Sequence, residues 1–168
     1  MKKLLLFSIS LLLAPAAQAL QFEVNDITYT TVGLESSLAV CPNQNQTLTG
    51  NLVIPSYITY QGISYPVLSV GYEAFVGCAH ITSVTISEGI TSIGESAFEG
   101  CLSLTSAWLP EGLTSIGASA FEWCSALSSL VIPSSVTSIG ASAFTNCRGL
   151  RTITCNLESP LALDEECF

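Results

Sequence analysis

Hydrophobic positions recur along most of the chain with a fixed spacing of 23 residues. The clearest mark is a Gly-x-x-Ala-Phe segment, and its four copies begin at Gly71, Gly94, Gly117 and Gly140. Columns of aliphatic residues and a column of cysteines follow the same step, the cysteines being Cys78, Cys101, Cys124 and Cys147. A fixed period in the twenties is typical of a solenoid in which each coil contributes one short strand.

The spacing within one repeat predicts the path of a coil. Leu130 and Ile132 alternate with outward positions and predict a short strand with one face toward the core. Pro133 has no backbone N–H group and therefore ends the strand pairing. Val136 and Ile139 point inward again on a second extended segment. One coil buries too little apolar surface to offset the entropy lost on ordering it, so the coils must fold as a stack.

A resemblance follows from these repeats. The pattern Leu104-x-x-Ala107-x-Leu109-Pro110-x-x-Leu113-x-x-Ile116-Gly117-x-x-Ala120-Phe121-x-x-Cys124 is similar to the repeat of bacterial surface-antigen leucine-rich repeats, the BspA-like family. It extends over about residues 66–155. The resemblance implies a β-rich solenoid, a right-handed leucine-rich-repeat coil of about four 23-residue repeats with an N-terminal β cap.

The chain divides into four predicted segments. Residues 1–19 have a positive start, a ten-residue apolar run and a small-residue end, which together predict a signal peptide; the alternative is an N-terminal anchor helix. Residues 20–64 predict an N-terminal β-hairpin cap, with hairpins and a first Ile-Pro strand. Residues 65–155 form the solenoid. Residues 156–168 are either an incomplete or weak C-terminal cap, or the end of a truncated chain.

Charge excludes two classes of partner. The chain has 13 Asp and Glu residues against four Lys and Arg, a net charge of −9. Removal of residues 1–19 would leave only Arg148 and Arg151 as cations, a net charge of −11. Such a surface repels phosphate backbones and anionic lipids, so no nucleic-acid partner is expected. The remaining chain has no apolar run long enough to span a membrane.

The cysteine column predicts buried thiols that fill a turn. Stacked Cβ atoms would lie about 4.8 Å apart, which is wider than the usual disulfide geometry. No C-x-x-C pair is present, so we predict no metal site. Cys41, Cys155 and Cys167 lie outside the column, and Cys155 with Cys167 is the pair first expected to form a disulfide under oxidising conditions.

Catalysis has little support in the sequence, and we predict neither an enzyme nor a cofactor. His80 is the only histidine, and its equivalents in later repeats are Ser103, Ala126 and Gly149, which indicates a variable surface position. Equivalent carboxylates recur at Glu88 and Glu111, and at Glu99 and Glu122. Stacked carboxylates can share a Ca²⁺ ion, but they more often form a solvated face.

The outward positions of the strand column are the predicted binding surface. They are Thr85, Trp108, Val131 and Thr154. Trp108 is a large aromatic residue on a threonine-rich row, although it could simply cover the sheet. Trp123 replaces the residues Gly77, Gly100 and Asn146 at a turn that favours a left-handed conformation. It is therefore either a local repacking or a second exposed anchor.

These features predict an exported protein that is secreted, periplasmic or on the cell surface. The resemblance implies an adhesion-type module that binds an extracellular protein or glycan. The alternative is a structural spacer, or a truncated remnant of a longer surface protein, without a ligand of its own. The sequence does not identify the ligand.

Overall fold

Two columns of short strands stack along one axis in a computed structural model of the chain. The structure describes residues 21–32, 37–41, 48–155, 162–163 and 167, and they form no helix. The predicted signal peptide at residues 1–19 lies outside these residues, as does most of the segment 156–168. The segment that closes each coil consists of successive hydrogen-bonded turns.

Fourteen strands succeed one another along the described part of the chain. They are β1 (Gln21–Val24), β2 (Ile27–Val32), β3 (Ser37–Cys41), β4 (Gly50–Ile54), β5 (Tyr57–Tyr60), β6 (Ile63–Val70), β7 (Ile81–Ile86), β8 (Ser92–Ile93), β9 (Ser106–Trp108), β10 (Ser115–Ile116), β11 (Ser129–Ile132), β12 (Ser138–Ile139), β13 (Thr152–Cys155) and β14 (Ala162–Leu163). Sheet I contains β4, β7, β9, β11 and β13, all parallel. Sheet II has the order β1-β2-β3-β6-β8-β10-β12-β14, and β5 pairs with β6.

The first strands join the stack through hairpins, as the sequence predicts. Strands β1 and β2 are antiparallel, and so are β5 and β6. Strand β3 pairs antiparallel with β2 and parallel with β6, so it connects the N-terminal hairpin to sheet II. Strand β4 pairs with β7 in sheet I, with Val53 next to Thr85. A first rung of the stack therefore lies within residues 20–64.

A column of aromatic rings fills the core. Phe75, Phe98, Phe121 and Phe144 are buried and stacked, with ring centroids 5.3, 5.2 and 5.6 Å apart and interplanar angles of 9–15°. Each ring therefore lies one coil from the next, which confirms the 23-residue solenoid. The buried alanine before each phenylalanine leaves room for the turn.

Backbone hydrogen bonds join successive coils through the turns as well as through the sheets. The N–H groups of Phe75, Phe98 and Phe121 donate to the carbonyl 22 residues later, each at 2.8 Å. The N–H group of Phe144 donates to the carbonyl of Cys167, also at 2.8 Å. Strand β14 adds to sheet II with a step of 24 residues, because Ser138 pairs with Ala162. The chain thus continues the stack beyond the last regular repeat.

Threonine hydroxyl groups add a second set of contacts between coils. Thr114 Oγ1 donates to the carbonyl of Thr91 at 2.9 Å, and Thr137 Oγ1 donates to that of Thr114 at 3.1 Å. On the other side of the coil, Thr105 Oγ1 donates to the carbonyl of Thr82 at 2.9 Å. Each such bond contributes about 1 kcal/mol or less at an exposed position.

One column of glycines permits the coils to approach this closely. A Cβ atom on Gly117 would lie 2.5 Å from the backbone nitrogen of Glu95, and one on Gly140 would lie 2.5 Å from that of Ala118. Gly94 shows the same conflict with Gly71 and Tyr72. Since backbone atoms cannot rotate away, a side chain here would force two coils apart.

We expect Gly117→Ala to lower the free energy of unfolding by about 2 kcal/mol or more, because its methyl group clashes with the preceding coil. Urea denaturation followed by circular dichroism measures this. The matched control is Gly112→Ala, since a Cβ atom there meets nothing within 4 Å. Equal unfolding midpoints for the two variants would contradict this account of the glycine column.

Candidate binding surfaces

The outer face of sheet I carries one continuous row of exposed side chains. The strand register places Val53 beside Thr85, Thr85 beside Trp108, and Val131 beside Thr154. Val131 lies next to Trp108, because the preceding residues Leu130 and Ala107 are paired. We call these five residues the strand-face row. Val53, Trp108 and Val131 are 57%, 48% and 50% exposed.

The row contains the four sequence-predicted residues and adds Val53. The sequence analysis did not include Val53 in the row, because a hairpin separates its strand from the regular repeats and breaks the 23-residue spacing. Only the pairing of β4 with β7 shows that Val53 belongs to the row.

A row of hydroxyl and amide groups runs beside the strand-face row. The strand register aligns Asn51, Ser83, Ser106, Ser129 and Thr152. Ser83 Oγ donates to Asn51 Oδ1 at 2.8 Å. The outer face therefore offers apolar surface and hydrogen-bonding groups in parallel lines, about 4.8 Å between rungs.

The five strands of sheet I contain no Asp, Glu, Lys or Arg residue. This is notable in a chain with 13 carboxylates. The carboxylates at Glu88 and Glu111 lie just beyond the strands and are exposed, and Glu111 accepts a hydrogen bond from Ser134 Oγ at 3.3 Å. Charge is thus displaced from the strands to the neighbouring turns.

Trp123 lies on a different side of the coil, in the turn before the cysteine column. Its φ is 60°, and the equivalent Gly77, Gly100 and Asn146 have φ of 69°, 70° and 61°. The left-handed conformation predicted for this turn is confirmed. A residue with a Cβ atom there costs about 1–2 kcal/mol relative to glycine. The indole is 44% exposed, and the guanidinium carbon of Arg148 lies 5.9 Å from its ring centroid.

The four thiols of the cysteine column are buried, and three of them are hydrogen-bonded. Cys101 Sγ donates to the carbonyl of Phe75 at 3.3 Å, Cys124 Sγ to that of Phe98 at 3.2 Å, and Cys147 Sγ to that of Phe121 at 3.0 Å. Each of these three thiols therefore adds a second hydrogen bond to a carbonyl of the preceding coil that already accepts a backbone N–H, a contact that the sequence analysis did not foresee.

Burial makes these thiols weaker acids than an exposed cysteine. It raises the pKa of Cys101 to about 12 and that of Cys147 to about 11, and it also raises the pKa of Cys124 and Cys78. The thiols therefore stay protonated at neutral pH and act as S–H donors. Since the thiolate is the nucleophile and metal ligand, the column is unsuited to either chemistry.

Cys155 and Cys167 are both free thiols in the structure. Cys155 is exposed at the end of strand β13, whereas Cys167 is buried beside the last turn. The disulfide between them under oxidising conditions stays a prediction.

His80 is exposed, in a turn. Within the described residues, no group of three or more His, Cys, Asp or Glu side chains is arranged to hold a metal ion. That same part of the chain contains no helix of the length and hydrophobicity needed to cross a membrane.

A shallow concavity of about 460 Å³ lies next to the last regular repeat. Its lining combines hydrophobic side chains with polar and cationic ones. The lining residues are Phe144, Asn146, Cys147, Arg148, Leu150, Arg151, Thr152 and Ile153. Both arginines of the chain therefore border one surface.

The family model of the BspA type leucine rich repeat region, which comprises six copies of the repeat, matches residues 55–168. The chain belongs to the BspA type leucine rich repeat family. In this chain the repeats fold into two columns of parallel strands around a column of stacked phenylalanine rings. No curated protein matches the chain.

Solved structures of leucine-rich repeat proteins resemble this BspA type protein. One from Bacteroides capillosus is 29% identical, covers 81% of this chain and 98% of its own, and has a TM-score of 0.72. Another, from Bacteroides ovatus, is 31% identical over 79% of this chain and 40% of its own, with a TM-score of 0.58. The pneumococcal vaccine antigen PcpA, at 24% identity, shares the fold with a TM-score of 0.66, over 84% of this chain and 39% of its own.

We expect iodoacetamide at pH 8 to alkylate Cys155 in the native BspA type protein at least about 100-fold faster than Cys101 or Cys147, because a raised pKa and burial both suppress the reactive thiolate. Peptide mass spectrometry at successive times measures the rates. The column should react at the rate of free cysteine once the chain is unfolded. Protection of Cys155 that is lost on adding reductant would instead reveal the disulfide with Cys167.

Proposed function

We propose that this protein is an exported, non-catalytic module that binds an extracellular protein or glycan through the strand-face row. The observation that carries the proposal is the absence of charge from all five strands of sheet I in a strongly acidic chain. Charged residues are depleted from the centres of protein interfaces, because their water is costly to remove.

The composition of the row supports the same function. Trp108 projects a half-exposed indole from the middle strand, with Thr85 and Val131 beside it. Tryptophan is enriched among the residues whose truncation weakens binding most, and such residues lie near the centre of a contact. The parallel row of hydroxyl groups would supply hydrogen bonds to a partner's backbone or to sugar hydroxyls.

Export rests on residues 1–19 and on the resemblance to bacterial surface antigens. A positive start, an apolar run of ten residues and a small-residue end direct a chain to the secretory machinery.

A non-catalytic role agrees with the placement of the reactive side chains. His80 lies in an exposed turn, and burial raises the pKa of the cysteine column. A nucleophile needs a base within hydrogen-bond reach, and the solenoid core is filled with phenylalanine and aliphatic side chains. Binding through an outer surface is therefore the function that this arrangement serves best.

We expect Trp108→Thr to weaken binding to the partner at least about 10-fold, because it removes the central aromatic contact. Threonine is the residue of the neighbouring rung at Thr85, so the sheet is preserved. Surface plasmon resonance with the chain from residue 20 onward measures affinity for ligands identified on arrays of extracellular matrix proteins and glycans. Val131→Lys, which introduces a charge into the same row, should have a similar effect.

Leu102→Ser is the control for this experiment. Leu102 is 50% exposed but lies outside sheet I, and the next coil has Ser125 at the same position. The Leu102→Ser variant should bind the partner with the same affinity as the parent. Equal affinity of parent and Trp108→Thr would refute the strand face, and the lack of saturable binding on every array would support a structural spacer instead.

We expect cells that export the full chain to release a product that begins at Leu20, because residues 17–19 fit the cleavage rule for signal peptidase. N-terminal sequencing and intact mass determine the start. Ala19→Arg should block cleavage and leave the longer form. A product that keeps residues 1–19 in the parent would indicate the anchor helix.

A further inference from the structure

The turn that carries Trp123 departs from the repeat in a way that the fold does not require. The same turn is made by Gly77 and Gly100, and Asn146 makes it in the next coil. Glycine and asparagine tolerate a left-handed backbone, whereas a tryptophan does so rarely. Backbone strain that is retained in an otherwise regular structure is a reason to look for a function at that residue.

Arg148 gives the exposed indole a partner. Its guanidinium carbon lies 5.9 Å from the centroid of the Trp123 ring. The equivalent positions in earlier coils are Ala79, Leu102 and Ser125, so this pair occurs once in the described repeats. A guanidinium beside an aromatic ring keeps the donors at its planar edge for a planar acceptor such as a carboxylate.

The two arginines place all the Lys and Arg charge of the chain after residue 3 beside one concavity. Arg148 and Arg151 are the only Lys or Arg residues after Lys3, and both border the concavity of about 460 Å³. Across the described ranges, no carboxylate forms an ion pair with either guanidinium. Asn146 and Thr152 add amide and hydroxyl groups to the same lining.

The geometry points to a second site for the carboxylate of an acidic sugar such as a uronic or sialic acid. Arg148 and Arg151 border the concavity, and Trp123, which is not one of its lining residues, lies beside Arg148. The guanidinium groups would bind the carboxylate, the amide and hydroxyl groups would bind sugar hydroxyls, and the indole would contact the apolar face of the ring. The volume lies within the usual range for small ligands.

The charge distribution favours one acidic unit over a longer polyanion. Two neighbouring guanidinium groups can neutralise one or two negative charges, whereas the remaining surface carries the carboxylates that repel further ones. An acidic peptide could satisfy the arginines but would leave the indole and hydroxyl groups without complementary partners. The site is separate from the strand-face row and does not depend on the function proposed for that row.

Tryptophan fluorescence tests the site directly. The chain has two tryptophans, so the Trp108→Thr variant leaves Trp123 as the only indole. Titration of this variant, in the form that starts at residue 20, with glucuronic acid and with N-acetylneuraminic acid should give a saturable change in emission, with a Kd of about 1 mM or below. Glucose, the neutral counterpart of glucuronic acid, should bind with at most a tenth of the affinity of glucuronic acid.

Variants taken from the repeat itself provide the controls. In the same background, Arg148→Ser introduces the residue of the preceding coil and should weaken acidic-sugar binding at least about 10-fold. Arg148→Lys keeps the charge but loses the planar donors. Its affinity for the acidic sugar should therefore lie between that of the Trp108→Thr background and that of Arg148→Ser. Trp123→Asn, the residue of the next coil, should weaken binding measured by calorimetry. Thermal unfolding monitored by circular dichroism verifies that each variant is folded.

Three results would overturn the proposal. They are no saturable change up to about 10 mM acid, equal binding of glucose and glucuronic acid, and unchanged affinity in both Arg148 variants. Binding of a short glutamate peptide as tightly as glucuronic acid would refute the sugar specificity. Because the assay uses a variant without Trp108, failure here leaves the strand-face proposal unaffected, and failure of that proposal does not alter this result.

Discussion

The structure depends on the close approach of each coil to the next. The backbone N–H groups of Phe75, Phe98 and Phe121 reach carbonyls of the following coil at 2.8 Å, and the same contact recurs at Phe144. This distance is kept only because glycine occupies one column, where a Cβ atom would meet backbone atoms at 2.5–2.9 Å. The stacked rings, the thiol bonds and the threonine bonds all span the same separation, so they reinforce one geometry and none could form without it.

That constraint divides the side chains into two groups. Inward positions and turn glycines are fixed by packing, whereas many outward positions differ from one coil to the next. Trp108, Trp123 and Arg148 each differ from the small or aliphatic residues at equivalent positions of neighbouring coils. The residues proposed to bind partners are therefore the ones that depart from the repeat. Their placement on two sides of the coil gives the protein two chemically different surfaces, one uncharged and one cationic.

The 23-residue period was sufficient to predict the solenoid, because one repeated spacing fixes which residues face inward. It also predicted the outward row and the left-handed turn at Trp123, since alternation along a strand and a column of glycines are local properties. It could not predict that β3 joins sheet II or that Val53 joins the row, because those contacts arise outside the period. The thiol bonds and the approach of Arg148 to Trp123 also went unpredicted, since both join residues of adjacent coils whose distance only coordinates provide.

The register of strand β14 has a consequence for how such chains can change in length. A 24-residue step separates Ser138 from its partner Ala162, yet the strand still pairs and the turn bond to Cys167 is kept. The stack thus accommodates an extra residue between its columns. Whole repeats have still more freedom, because every junction is made in the same way. Duplication or loss of a coil by recombination would lengthen or shorten the stack while each remaining junction stays intact. Selection could therefore act on the length of the stack separately from its surface chemistry.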